Sequence, residues 1–130
     1  MNTELFEQAA DAGAQLLRVE KRVHAGDVDL HASALLLTFD VGRILVTAEP
    51  ARNVLVATHV ESAEASPAGL TDASEEEPWW RLLGAPLSAA RETPDAMRIE
   101  LRFAMGEGRS RAAILQLHAA RVHASLQTAE

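Results

Sequence analysis

The run LLLTFDVGRILVTAEPARNVLVATHV, residues 35 to 60, constrains the fold more than any other stretch. Leu35, Leu37 and Phe39 alternate with their neighbours, as do Ile44, Val46 and Ala48, and then Val54, Val56, Thr58 and Val60, so that each set lies on one face of an extended chain. Asp40-Val41-Gly42 and Glu49-Pro50-Ala51-Arg52 separate the three segments with turn-forming residues. The pattern predicts an antiparallel meander over 33–61. A second alternating run, MRIELRF at 97–103, sets Met97, Ile99, Leu101 and Phe103 opposite Arg98, Glu100 and Arg102, which is a strand with one face in the core and one in water.

Helical spacing shows at the start of the chain. Leu5, Phe6, Ala9 and Ala12 share a stripe, Thr3 can cap it and Gly13 can end it. From Gln15 the period becomes two, with Leu17, Val19, Lys21 and Val23 against Arg18, Glu20 and Arg22; a continuous helix over 3–22 is the competing reading. Residues 62–73 read as a loop. Asp72 or Ser74 then caps a helix near 75–84, with Glu75 or Glu77 completing a capping box and Gly84 stopping it. Adjacent helical residues point about 100° apart, so Trp79 and Trp80 can hardly be buried in the same place; Leu83, Gly84 and Leu87 favour Trp80 as the core residue and leave Trp79 partly exposed or covering the loop before it. Residues 112–127 fit either a helix, through Leu115, Ala119, Val122 and Leu126, or two strands, and pattern alone slightly favours the helix.

With 130 residues, 48% of them hydrophobic and 24% charged, the chain is of the size and composition of one folded domain. It has no cysteine, which excludes a disulfide framework, a zinc-thiolate site and a thiol nucleophile. The opening MNTELFEQAADAG lacks the features of a signal peptide, and no apolar run approaches the ~20 residues that cross a bilayer, so a cytosolic protein is expected. The net charge of −7 disfavours nucleic acid and anionic membrane as partners and suits a basic protein. Its 11 arginines, one lysine and 25 alanines suggest a GC-rich bacterial genome.

No catalytic or cofactor motif is present. There is no GxSxG elbow, P-loop or GxGxxG. His118 and His123 are five apart, off the spacing that aligns two ligands on a helix, although they could approach each other across a hairpin. A zinc site needs at least three converging ligands, which the sequence, with His24, His31 and His59 as its other histidines, does not display, so no metal is expected. Asp27 with Asp29, or Glu100 with a cross-strand acid, could form a carboxylate pair, but exposed positions explain them more simply. The densest chemistry is acidic: Glu64, Asp72, Glu75, Glu76 and Glu77 lie within fourteen residues and lead into Trp79. A basic partner would dock there, with tryptophan as an energetic anchor.

Thr38, Phe39, Asp40 and Gly42, followed by Trp80, Leu83, Gly84 and Leu87, form a "tF-acidic-x-G" hairpin and a "W-x-x-(L/I)-G-x-x-L" segment. Over roughly 14–127 the chain thus resembles small uncharacterised bacterial proteins classed as a domain of unknown function. The resemblance implies a strand pair at 112–127 and a strand at 15–24, and brings no catalytic residues; proteins of this kind often sit beside bacterial toxins as immunity partners. The expectation is therefore a single α+β domain spanning 1–130: an antiparallel sheet of about six or seven strands, a short N-terminal helix and a helix near 75–84. Its expected role is that of an immunity or antitoxin-type inhibitor, not an enzyme, without cofactor. The alternatives are a structural or homodimeric interaction module and, third, a small-ligand-binding or enzymatic domain.

Overall fold

The computed structural model describes residues 3–22, 31–32, 34–49, 54–60, 70–75, 79–94, 97–118 and 121–128. One helix, α1 (Thr3–Asp11), opens the chain. It ends as its sequence predicts: Gly13 takes φ +64°, the Ala14 N–H donates to Ala9 O at 2.9 Å and the Gly13 N–H donates to Ala10 O at 3.0 Å. That pairing satisfies carbonyls that helix termination would orphan, and Ala9 and Ala14 are both buried beneath it.

Among the described residues, every strand after α1 pairs antiparallel. Strands β1 (Leu16–Arg22), β3 (Ala34–Phe39), β4 (Gly42–Glu49) and β5 (Val54–Val60), with the two-residue β6 (Thr71–Asp72), form one sheet in the order β5-β4-β3-β1-β6. Strands β7 (Leu87–Glu92), β8 (Arg98–Gly106), β9 (Arg109–His118) and β10 (Arg121–Thr128), with the two-residue β2 (His31–Ala32), form the other in the order β2-β10-β9-β8-β7. Eight strands of six or more residues in two sheets replace the six or seven expected in one. The meander at 33–61 is β3-β4-β5, and 112–127 is the strand pair β9-β10, in register from Arg121↔His118 to Thr128↔Arg111. Helical spacing in that alanine-rich end is misleading because Leu115 and Val122, both buried, serve equally in strands.

Both sheets turn apolar faces to one core. Val19, Leu35, Leu37, Phe39, Ile44, Val46 and Leu55 from the first meet Ile99, Leu101, Phe103, Ala113, Leu115 and Val122 from the second, and Phe6 of α1 joins them. Burying each large aliphatic side chain contributes roughly 1.5–3 kcal/mol. The sheets are joined at a corner, where Gln15 and Pro86 form an isolated bridge and the Leu87 N–H donates to Ala14 O at 2.7 Å.

Three expectations are corrected. On β1, Leu16 is fully buried and Leu17 is 52% exposed, because the β1/β3 register slips between Leu16 and Arg18 and the extra residue shifts the alternation before Val19 restores it. On β5, Leu55 and Ala57 pack with the core instead of Val54 and Val56, because the pairing sets Ile44 opposite His59 and Val46 opposite Ala57. The helix near 75–84 is only a 3-10 turn, Trp79–Arg81, within the described residues. Beyond it the backbone is taken by β1: the Gly84 N–H donates to Leu16 O at 2.7 Å and the Leu16 N–H to Ala85 O at 3.3 Å, with Gly84 at φ +82°.

Candidate binding surface

The tryptophans are placed opposite to expectation. Trp79 is 3% exposed within the core, with Leu82 fully buried one turn later; Trp80 is 49% exposed and Leu83 37%. Trp79–Leu82 and Trp80–Leu83 have the same three-residue spacing, so the sequence fits either phase. The Leu82 and Leu83 N–H groups both donate to Trp79 O, at 2.9 and 3.1 Å, and this tight turn directs the first pair inward. The Arg81 guanidinium carbon lies 4.4 Å from the centroid of the Trp80 ring, a cation–π contact worth about 0.5–1 kcal/mol at an exposed site.

The Gly84–Leu16 hydrogen bond brings the chain after Trp80 against the bulge that exposes Leu17. Three large apolar residues, Leu17, Trp80 and Leu83, are thus solvent-exposed on segments held together by backbone pairing. Leu17 and Trp80 are the residues sequence reasoning missed. A bulge has no residue signature on β1, and the Trp80 phase could be recovered only from the turn geometry.

Of the acids proposed for docking, Glu64, Glu76 and Glu77 lie outside the described residues, while Asp72 and Glu75 are both exposed. Asp72 also has internal work. Its Oδ1 accepts the Ser74 N–H at 2.9 Å, and Ser74, buried, accepts the Val19 N–H on its Oγ at 3.0 Å and donates from it to Val19 O at 3.3 Å. This is an Asx turn locking β6 onto β1, in place of the expected helix cap. The Ser74 backbone N–H holds the Asp72 carboxyl below the ordinary aspartate range, helped by the Ser74 side chain, against an opposing effect of desolvation and with Arg18 as the weakest contributor. Asp72 stands directly across from Glu20, and Arg18 lies 3.6 Å from Glu20, so a cation separates the two acids' charge.

A second concavity lies between α1 and the β3–β5 hairpins. It is a half-enclosed cleft of about 240 Å³, walled by Leu5, Ala9, Ala12, Phe39, Val41 and Ile44, with Gln8 and His59 as its polar side chains. Gly42 forms part of the wall at φ +154°, and a Cβ there would stand 3.2 Å from His59 Nε2. Ala12, expected on the helix's core stripe, is exposed at the cleft rim because α1 ends before it. The turn residue Asp40 fixes this hairpin by accepting the Gln15 N–H on Oδ1 at 3.1 Å while its own N–H donates to Gln15 O at 3.1 Å.

Other candidates resolve differently. Glu100 is engaged by Arg102 at 2.8 Å, and Arg102 also donates to Ser110 Oγ at 3.1 Å. His24, Asp27 and Asp29 lie outside the described residues, and β10 sets His123 opposite Gln116 and not opposite His118. Among the described residues no group of three or more His, Asp or Glu side chains could hold a metal ion, and no helix is long and apolar enough to cross a membrane. Compared with protein-family models, with curated proteins and with solved structures, the chain finds no match in any of the three.

Proposed function

We propose that the protein is a small cytosolic binding protein, an immunity or antitoxin-type inhibitor that occludes a basic partner protein by direct contact. The observation that carries the reading is the half-exposed Trp80, set with Leu17 and Leu83 on one paired corner of the fold and preceded in the chain by Glu75, Glu76 and Glu77. Tryptophan is enriched among the residues that dominate binding energy, and an apolar centre rimmed by charge is the common anatomy of a protein interface. The resemblance to small bacterial proteins of toxin neighbourhoods supports the same reading, and the anchor moves from Trp79 to Trp80. Asp72 and Glu75 are the rim acids among the described residues.

The test is a pull-down with the products of neighbouring genes, followed by co-expression with any toxic neighbour. Rescue of growth by the parent chain, lost on Trp80→Ala, is expected. If no neighbour binds and none is toxic, the inhibitor reading fails. If a partner is confirmed but Trp80→Ala binds it equally well, the surface is misassigned.

A further inference from the structure

We propose that the cleft between α1 and the β3–β5 hairpins is a small-molecule site taking a compact apolar body with one neutral or cationic hydrogen-bonding head, and rejecting carboxylates. The proposal does not depend on the docking surface at Trp80.

The cleft is produced by small residues at positions where larger ones would close it. Ala9 and Ala12 leave the helix wall low, and Gly42 leaves the strand wall flat. The flatness is enforced from two directions. Gly42 has φ +154°, which side-chain-bearing residues rarely adopt, and an added Cβ would press on the His59 ring at 3.2 Å. That close approach holds the imidazole beside the cleft. His59 also breaks the chemistry of its own strand face, since it shares the side of β5 that carries Leu55 and Ala57 and stands across from Ile44, yet is itself exposed to solvent at the cleft.

Size and lining then specify the occupant. A cavity of roughly 150 Å³ accommodates benzene, so about 240 Å³ takes a benzene-sized body with a short arm. Leu5, Phe39, Val41 and Ile44 offer that body apolar contact, while the His59 ring supplies nitrogen and Gln8 an amide for a single polar group. Charge decides which group. Asp11 and Asp40 adjoin the lining residues Ala12 and Val41, both are exposed, and the C-terminal end of α1 points its partial negative charge the same way. An anionic head would find no arginine or lysine among the lining residues to offset these two neighbouring acids.

The experiment uses three molecules of one shape: benzyl alcohol, benzylamine and benzoate, titrated into isotopically labelled protein and read by amide NMR. Saturable shifts centred on Ala12, Gly42 and His59 are expected for the first two, with benzoate weaker by about tenfold, as a like charge at the rim requires. His59→Leu should weaken benzyl alcohol by roughly three- to tenfold, the worth of one net hydrogen bond. Ala12→Leu, at an exposed position, should abolish binding of all three; Val41→Phe blocks the cleft from the opposite wall if the first variant disturbs the fold. Trp80→Ala should change nothing here. Shifts that do not saturate, equal affinity for the three probes, or undiminished binding by a folded blocking variant would each overturn the proposal.

Discussion

Trp79 is buried and Trp80 half-exposed, so truncating each should have a different consequence for stability. Trp79→Ala should destabilise the fold by about 3–5 kcal/mol, since it leaves a cavity beside Leu82. Trp80→Ala should cost about 1 kcal/mol or less in stability, because the ring is half-exposed and its Arg81 contact is worth about 0.5–1 kcal/mol. Urea unfolding of the two variants measures both; a Trp80→Ala loss as large as that of Trp79→Ala would show that the exposed ring is structural. Asp72 makes a prediction in pH. Its folded-state pKa is depressed, so its contribution is complete above the unfolded value of about 3.9 and is lost as pH falls through the lower folded value. Asp72→Asn keeps an acceptor for the Ser74 N–H but cannot titrate. The stability gap between parent and variant should therefore narrow below about pH 4, and a gap constant down to pH 2 would contradict the assignment.

At the level of elements, the two short β6 residues depend on a side chain outside them. Ser74 binds both the N–H and the carbonyl of Val19, and without its Oγ the buried Val19 N–H has no acceptor. Ser74→Ala should cost about 1–3 kcal/mol and raise amide exchange at Ala73 and Thr71 before the rest of β1; uniform exchange would mean that β6 is held otherwise. Gly42 is the comparable point in the β3–β4 hairpin, where Gly42→Ala should cost about 1–3 kcal/mol through its φ and its approach to His59. Strands were readable wherever turn residues bracketed a strict alternation, as in 35–60 and 97–103. The faces were less readable. β1 hides its phase in a bulge, and β5 offers apolar residues on both sides, so cross-strand register with Ile44 and Val46 decides what is inside. The turn at Trp79 reads as a helix in sequence because capping acids and a terminal glycine suit both, and hydrogen bonds to β1, distant in sequence, determine the outcome. The docking acids could be seen as a charge run. The cleft could not, since it arises from alanines on α1 and just past its end, a glycine on β4 and a histidine on β5.

Charge is unevenly distributed along the whole molecule. The first 80 residues hold 14 acids and 5 bases, the remaining 50 hold 5 acids and 7 bases, and it is the latter that build β7 to β10. A basic partner approaching from solution is therefore drawn toward the portion containing α1, Asp72 and Glu75, and is not drawn toward the arginines of β8 and β9. Under the proposed docking, steering would act on encounter and Trp80 once contact is made, so the two should separate kinetically. Screening shortens the range of charge from about 10 Å at 0.1 M salt to about 3 Å at 1 M. The association rate with a confirmed partner should accordingly fall by roughly ten- to a hundredfold over that range. The triple charge reversal of Glu75, Glu76 and Glu77 to lysine should reproduce most of that fall at low salt while leaving the dissociation rate nearly unchanged. Trp80→Ala should do the reverse, speeding dissociation with little effect on association, because a buried aromatic anchor is lost only after the complex has formed. Surface plasmon resonance across a salt series measures all four quantities. An association rate indifferent to both salt and charge reversal, with Trp80→Ala still accelerating dissociation, would remove the acidic segment from the mechanism and leave an apolar contact of the kind a second copy of the chain could make.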